Sequence, residues 1–389
     1  MAYFYTLATR ENIVQLLTTY LALLLTYVWS TVSYVFNGPR NAAWDFRTHY
    51  VRDLIVYMFA HQTDAGVQLM VKLNNGAWPE LTTGMQRVPQ GYASRIAIPS
   101  YPLGPVLPPA WAAELREIES LSQGRQMHGE CIVSHSGNTR LDNSTSGRRE
   151  PKAILHFHGG AYVAGTMEQY RPIHVMLSRL SGLRVYGFAY RLAPHALYPT
   201  QLYDAYCAFS HLLALGYKES EIVFTGDSAG GNLALALWQL LKPDLHAMVL
   251  ISPRVDVGST RRSWTLNADA DILKPYNIYN TSDPLRMLLV SQGSPVEQRV
   301  LDLLSDPFIS PVNGDLSGLP PTLIQAATAE VMFDDIDEFV QRARVQNAGG
   351  DRIQFQVFEG GFHNFQLMPM PVKHSVEARE AIGKFLGRH

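Results

Sequence analysis

The chain has 389 residues, with 32 basic and 34 acidic side chains and two cysteines, Cys131 and Cys207. That length suits one large α/β domain with appendages rather than a single core of about 150 residues. The near balance of charge, with no basic run beyond Arg148-Arg149 and Arg261-Arg262, excludes a nucleic-acid-binding surface, and two cysteines exclude a disulfide framework and a cysteine-based zinc site while leaving room for one bridge.

Residues 1–39 read as a membrane-anchor helix. No charged residue occurs from Asn12 to Pro39, and the 24 residues from Ile13 to Phe36 are dominated by Leu, Val, Tyr and Trp, long enough to span a bilayer. Gln15, Thr18, Thr19, Thr26, Ser30, Thr31 and Ser33 dilute that hydrophobicity. The expectation is a single-pass protein of the endoplasmic reticulum. The side of the catalytic domain stays open: Arg40, Arg47 and Arg52 favour the cytoplasm, whereas Asn143-Ser-Thr and Asn280-Thr-Ser would be glycosylation acceptors in a lumen.

Residues 40–130 carry Trp44, Phe46, Tyr50, Tyr57, Phe59, Trp78 and Trp111 and read as an N-terminal cap with lead-in strands; Ser134 to Arg149 reads as an exposed loop. The catalytic domain is expected over 131–389. From Lys152 onward short apolar runs alternate with helical stretches, the pattern of a mostly parallel sheet covered on both faces. The expected strands are Ala153 to Phe157, Arg184 to Tyr190, Ile222 to Thr225, Ala247 to Ile251, Thr322 to Ala326 and Ile353 to Phe358. Between and after them lie expected helices near Tyr170 to Leu180, Gln201 to Leu215, Ala229 to Leu241, Asp335 to Gln346 and Val372 to Leu386. Residues 254–311 are too long for a simple crossover and read as a cap insertion.

Three loops on this frame carry chemistry. Gly226-Asp-Ser-Ala-Gly follows the apolar run Ile222-Val-Phe and places Ser228 at a sharp strand-to-helix turn, the setting of a nucleophile elbow. Serine is a weak nucleophile unless a base touches it and a third group orients the base. In the order nucleophile, acid, histidine, the base is His363 in Glu359-Gly-Gly-Phe-His-Asn-Phe, after the strand ending at Phe358. The acid is Glu330, first after the strand ending at Ala326, with Asp334 as the alternative; Asp334 and Asp335 also suit the start of the next helix. His158-Gly-Gly-Ala follows the strand ending at Phe157. There the amides of Gly160 and Ala161, with Gly159 shaping the turn, join that of Ala229 as an oxyanion hole, each donor worth about 3 to 4 kcal/mol.

Over residues 152–385 the chain resembles the hormone-sensitive lipase family of α/β-hydrolases. The resemblance rests on His158-Gly-Gly, Tyr190-Arg-Leu-Ala-Pro, Gly226-Asp-Ser-Ala-Gly-Gly, Ser305-Asp-Pro-Phe-Ile-Ser-Pro, Leu319-Pro-Pro and the late histidine. It implies cofactor-free, serine-dependent ester hydrolysis through an acyl-enzyme, beneath an N-terminal helical cap. It supports Ser228, Glu330 and His363, and an oxyanion loop at Gly159, Gly160 and Ala161. Three positions depart from the pattern: Ala161 stands for a glycine, Glu330 for an aspartate and His195 for a glutamate. Ala161 fits the family geometry if its φ is negative. Membrane-anchored fungal members similar to steryl acetyl hydrolases suggest a lipophilic ester as substrate, with an acetylated sterol or secondary metabolite as examples. The competing readings are an amidase such as an arylformamidase, a tailoring hydrolase of secondary metabolism, and a non-catalytic small-molecule binder on the same fold.

Overall fold

The computed structural model describes residues 10–60, 93–105, 107–133, 152–347, 352–368 and 372–388. Eight strands form one sheet: β1 (Ala93–Pro99), β2 (Gln126–Ile132), β3 (Ala153–Phe157), β4 (Arg184–Phe188), β5 (Ile222–Asp227), β6 (Ala247–Ile251), β7 (Thr322–Ala327) and β8 (Ile353–Phe358). Their spatial order is β1-β2-β4-β3-β5-β6-β7-β8. β2 runs antiparallel to both β1 and β4, and every pairing from β4 to β8 is parallel.

The inner parallel strands, β3 to β7, are buried on both faces, which explains their near-continuous apolar sequences, while the edge strand β8 is partly exposed and alternates. Alternate side chains still serve different cores, because successive residues of a strand point to opposite faces. Leu155, Phe157, Phe224, Met248, Leu250 and Ile324 join the cluster that includes α5 (Thr200–Ala214), α6 (Ala229–Leu241) and α10 (Phe333–Gln346). Ile154, Val185, Val223, Val249, Ile251 and Leu323 join the cluster with α4 (Met167–Ser181) and α11 (Ser375–Leu386). Local signals set the limits of α4: the Thr166 hydroxyl accepts from the Gln169 N–H at its start, and Gly182 ends it at φ 73°.

Between β6 and β7 the expected insertion forms α7 (Ser263–Leu266), α8 (Pro284–Leu289) and α9 (Gln298–Leu303). The segment expected to cap the domain from the N-terminal side is divided. α2 (Phe46–Ala60) packs beside the insertion, but β1 and β2, with α3 (Ala112–Leu121) between them, extend the main sheet. A domain limit at 131 therefore cuts through β2.

α1 (Arg10–Asn37) is one helix of 28 residues, yet no helix among the described residues is long and apolar enough to cross a membrane. This corrects the expected single-pass anchor, and the reason lies in the glutamine, threonines and serines spread along α1. Its orientation is inverted: Thr26 and Ser30 are buried, while Leu24, Leu25, Val28, Trp29, Val32, Val35 and Phe36 are exposed. Cys131 and Cys207 are both buried and unbridged. The Ser134 to Arg149 loop, Trp78 and Asn143 lie outside the described residues. Asn280 is exposed in the insertion, its Oδ1 accepting from the Ser282 N–H at 3.1 Å, the ordinary state of an asparagine in a turn, which lends the glycosylation expectation no support.

Candidate active site

β5 ends on Asp227, and the chain reverses at Ser228 with φ 51° and ψ −120° before entering α6. Such a backbone state costs a non-glycine residue about 1 to 3 kcal/mol and persists only where its surroundings enforce it. Here the Ser228 N–H donates to the Ile251 carbonyl at 3.0 Å, and the Ser228 carbonyl accepts from the N–H groups of Asn232 and Arg254. The turn is closed so tightly that a Cβ on Gly230 would fall on the Phe157 carbonyl oxygen, which is why the second glycine of the motif is required.

His363 and Glu330 come together after β8 and β7. The His363 Nδ1 lies 3.1 Å from Glu330 Oε2, and both side chains are buried. Glu330 Oε1 is occupied separately, by the Ser252 hydroxyl at 2.8 Å and the Ala327 N–H at 2.7 Å. With Nδ1 donating to the carboxylate, the lone pair of the neutral ring resides on Nε2. Asp334 is turned elsewhere: its Oδ2 accepts from the Ser263 N–H at 2.8 Å. The alternative acid is thus a helix-start residue gripping the insertion.

Asp227 joins the serine, histidine and oxyanion loops. Its Oδ1 accepts from the Gly159 N–H at 3.0 Å, and its Oδ2 from the Tyr170 hydroxyl at 3.1 Å and from Asn364 Nδ2 at 2.8 Å. Asp227 precedes Ser228 and Asn364 follows His363, so this contact ties the serine turn to the histidine loop one residue from each. Sequence reasoning passed over Asp227, Asn364 and Ser252; the signal available for the first two was a polar side chain inside an otherwise apolar or glycine-rich motif, and Ser252 had none.

The Gly159 N–H, spent on Asp227, shapes the turn and offers nothing to a ligand. Gly160 (φ 110°), Ala161 (φ 53°) and Tyr162 (φ 65°) follow in left-handed conformations, so the condition set for Ala161, a negative φ, is not met, and its amide enters the loop in a left-handed residue rather than in the family geometry. Among the described residues, the N–H groups of Gly160, Ala161 and Ala229 donate to no protein acceptor. Consecutive free amides in such conformations form an anion-binding concavity. His158 braces this loop: its ring stacks on Tyr190 at 4.1 Å, its Nδ1 meets the Gly159 carbonyl at 2.8 Å, and its own carbonyl accepts from the Tyr190 hydroxyl at 2.7 Å. Burial lowers its pKa to about 4, so the ring is neutral at pH 7.

The electrostatics around His363 oppose burial. Burial alone would depress the imidazole, but the hydrogen bond and charge of Glu330, followed by the charges of Asp271 and Asp227, hold it above its ordinary value. Asp227 is itself pushed up to about 6 by burial, against the pull of Tyr170, His363, Gly159 and Asn364. Among the described residues no group of three or more His, Cys, Asp or Glu side chains is arranged to hold a metal ion.

A family model described as the alpha/beta hydrolase fold matches residues 154–367. The chain is 31% identical over 236 residues to an "Esterase" of Acinetobacter venetianus, covering 60% of this chain and 73% of that protein. It is 31% identical over 243 residues to an "Acetyl-hydrolase" of Streptomyces hygroscopicus, covering 61% and 76%. Among solved structures, an esterase from the bacterial hormone-sensitive lipase family superposes with a TM-score of 0.65 at 26% identity, over 89% of this chain and 99% of that one. With its sheet order, elbow and paired acid and imidazole, the chain belongs to the hormone-sensitive lipase family of α/β-hydrolases.

Proposed function

We propose that this protein hydrolyses carboxylic esters through an acyl-enzyme on Ser228. The observation that carries the reading is the buried contact between His363 Nδ1 and Glu330 Oε2 at 3.1 Å, in a loop tied to the turn that presents Ser228. Glu330 fixes the tautomer that leaves Nε2 basic and stabilises the imidazolium once formed. His363 takes the proton of the Ser228 hydroxyl as the oxygen attacks the ester carbonyl carbon. The resulting oxyanion sits against the amides of Gly160, Ala161 and Ala229, and its collapse breaks the ester bond while the imidazolium protonates the departing alcohol. Water, deprotonated by the same imidazole, then attacks the acyl-enzyme and releases the carboxylic acid and free Ser228.

The substrate class we favour is a short acyl ester, acetyl above all, of a lipophilic alcohol such as a sterol or a secondary metabolite. The aromatic and aliphatic composition of the N-terminal segment and of the insertion supports the lipophilic half, and the acetyl-hydrolase among the relatives supports the acyl half.

The test is incubation with a fluorophosphonate probe followed by peptide mapping, together with a panel of acetyl, butyryl and octanoyl esters and N-formyl anilides. Labelling at Ser228, loss of turnover in Ser228→Ala and preference for acetyl esters are the expected results. Labelling elsewhere, or none, overturns the nucleophile assignment; faster turnover of N-formyl anilides would make the protein an amidase.

A further inference from the structure

His363 belongs to a loop that follows β8 through Gly360-Gly361, where no helix or strand ladder fixes the main chain. A base must nevertheless hold its position to within a fraction of an ångström for proton transfer to be efficient. Besides the contacts of His363 with Glu330 and of Asn364 with Asp227, a further set of fixing contacts comes from the insertion.

Asp271, fully buried in the insertion, supplies them. Its Oδ1 accepts from the main-chain N–H of His363 at 2.8 Å and from that of Ile272 at 2.7 Å, while Oδ2 accepts from the N–H of Val331, the residue after Glu330, at 2.7 Å. One carboxylate therefore binds the base at its own backbone and the acid at the adjoining peptide, across 92 and 60 residues of chain. Only an ionised carboxylate presents acceptors on both arms; an amide would point a donor at one of these N–H groups.

Asp271 is held in turn by α2. The Arg52 guanidinium donates to the carbonyls of Ala270 and Asp271, and its other arm is held by Asp53, whose Oδ1 also accepts from Arg40. Trp44 donates its indole N–H to the Gly360 carbonyl, and its ring meets Phe362 edge-on at 6.1 Å. Trp44, Val51 and Ile55 share one buried cluster with Ile272 and Phe362.

We infer that Asp271 is a positioning residue for the His363–Glu330 pair, and that Arg52 on α2 holds it there, making the N-terminal segment part of the catalytic frame. The inference rests on the reading that His363 is the general base. Besides fixing geometry, Asp271 adds a negative charge to those of Glu330, from the loop after β7, and Asp227, from the end of β5; the cations that feel the charge of Asp271 are Arg52 on α2 and Lys274 in the insertion. Burial and the charge of Glu330 push the Asp271 carboxyl up to about 6, while His363 and the N–H groups of Val331 and His363 draw it down. Removing its charge makes the imidazolium easier to deprotonate.

The experiment compares the full-length protein with Asp271→Asn, Arg52→Gln and Ser228→Ala, using p-nitrophenyl acetate from pH 5 to 9 and the rate of fluorophosphonate labelling. Melting curves establish that each variant is folded. Asp271→Asn should lower kcat about tenfold or more with KM within about twofold, and move the acid limb of kcat/KM to lower pH by about half a unit. Arg52→Gln leaves the Asp271 charge in place and should lower kcat about threefold without moving that limb. An Asp271→Asn protein with wild-type kcat and an unmoved acid limb overturns the inference. Should that variant fail to fold, a folded Arg52→Gln protein decides: reduced kcat supports the inference and wild-type kcat overturns it. Ser228→Ala separates this from the parent reading, because turnover surviving in that variant sinks the serine mechanism itself.

Discussion

At the scale of single residues, the imidazole of His363 is governed by the carboxylates around it, and Glu330 is the one in direct contact. Glu330→Gln removes a charge and reverses one hydrogen-bond partner. We expect kcat to fall on the order of 10⁴-fold, the loss typical when the orienting carboxylate of such a triad becomes an amide. The sign of the accompanying pH effect follows from the field. As the proposed base, His363 would work when neutral, and its folded-state pKa stands above 6.5, so wild-type kcat/KM should rise through an acid limb placed above that value. In Glu330→Gln that limb should move to lower pH as the plateau drops; a limb displaced to higher pH would contradict the assignment. Initial rates in a constant-ionic-strength buffer series measure both quantities.

At the scale of elements, α1 presents the polar side of its sequence inward. Ser30 is fully buried, and its hydroxyl has no hydrogen-bond partner among the described residues. Ser30→Ala removes a buried, unsatisfied polar group and should stabilise the protein by about 1 kcal/mol, seen as a rise in melting temperature; a fall would show that the hydroxyl is bonded. The bounds of β3, β6 and α6 were legible because each is a dense apolar run broken at its ends by polar, charged or glycine residues, with length separating strand from helix, and those of β8 because Ile353, Phe355 and Val357 alternate with glutamines. β1 was not separable from the cap region, since this edge strand alternates over only Arg95 to Pro99 and its inward side is Ile96 and Ile98 alone, too short a pattern to stand out. The elbow, the histidine loop and the choice of Glu330 over Asp334 followed from their order after strands. Asp271 was invisible for a different reason: its role depends on main-chain N–H groups 60 and 92 residues away, and backbone donors carry no sequence signature.

At the scale of the whole molecule, the parallel sheet gathers Ser228, Glu330 and His363 at the carboxyl ends of β5, β7 and β8, while the N-terminal segment supports the same edge through α2. α1 is more remote. Its ring contacts, from Tyr27 and Tyr34, fall on Phe46, His49 and Tyr50 of α2. Deleting residues 1–37 should therefore leave kcat/KM for a short soluble ester within about threefold of wild type, whereas a loss of a hundredfold would show that α1 acts on the reacting groups. The three carboxylates facing one imidazole also bear on the enzyme in bulk. Each ester cleaved yields an acid that ionises at neutral pH and sheds a proton. In a weakly buffered volume that proton load would protonate an imidazole whose affinity for it is raised, so turnover would throttle itself through its own product, and added buffer alone would restore the rate.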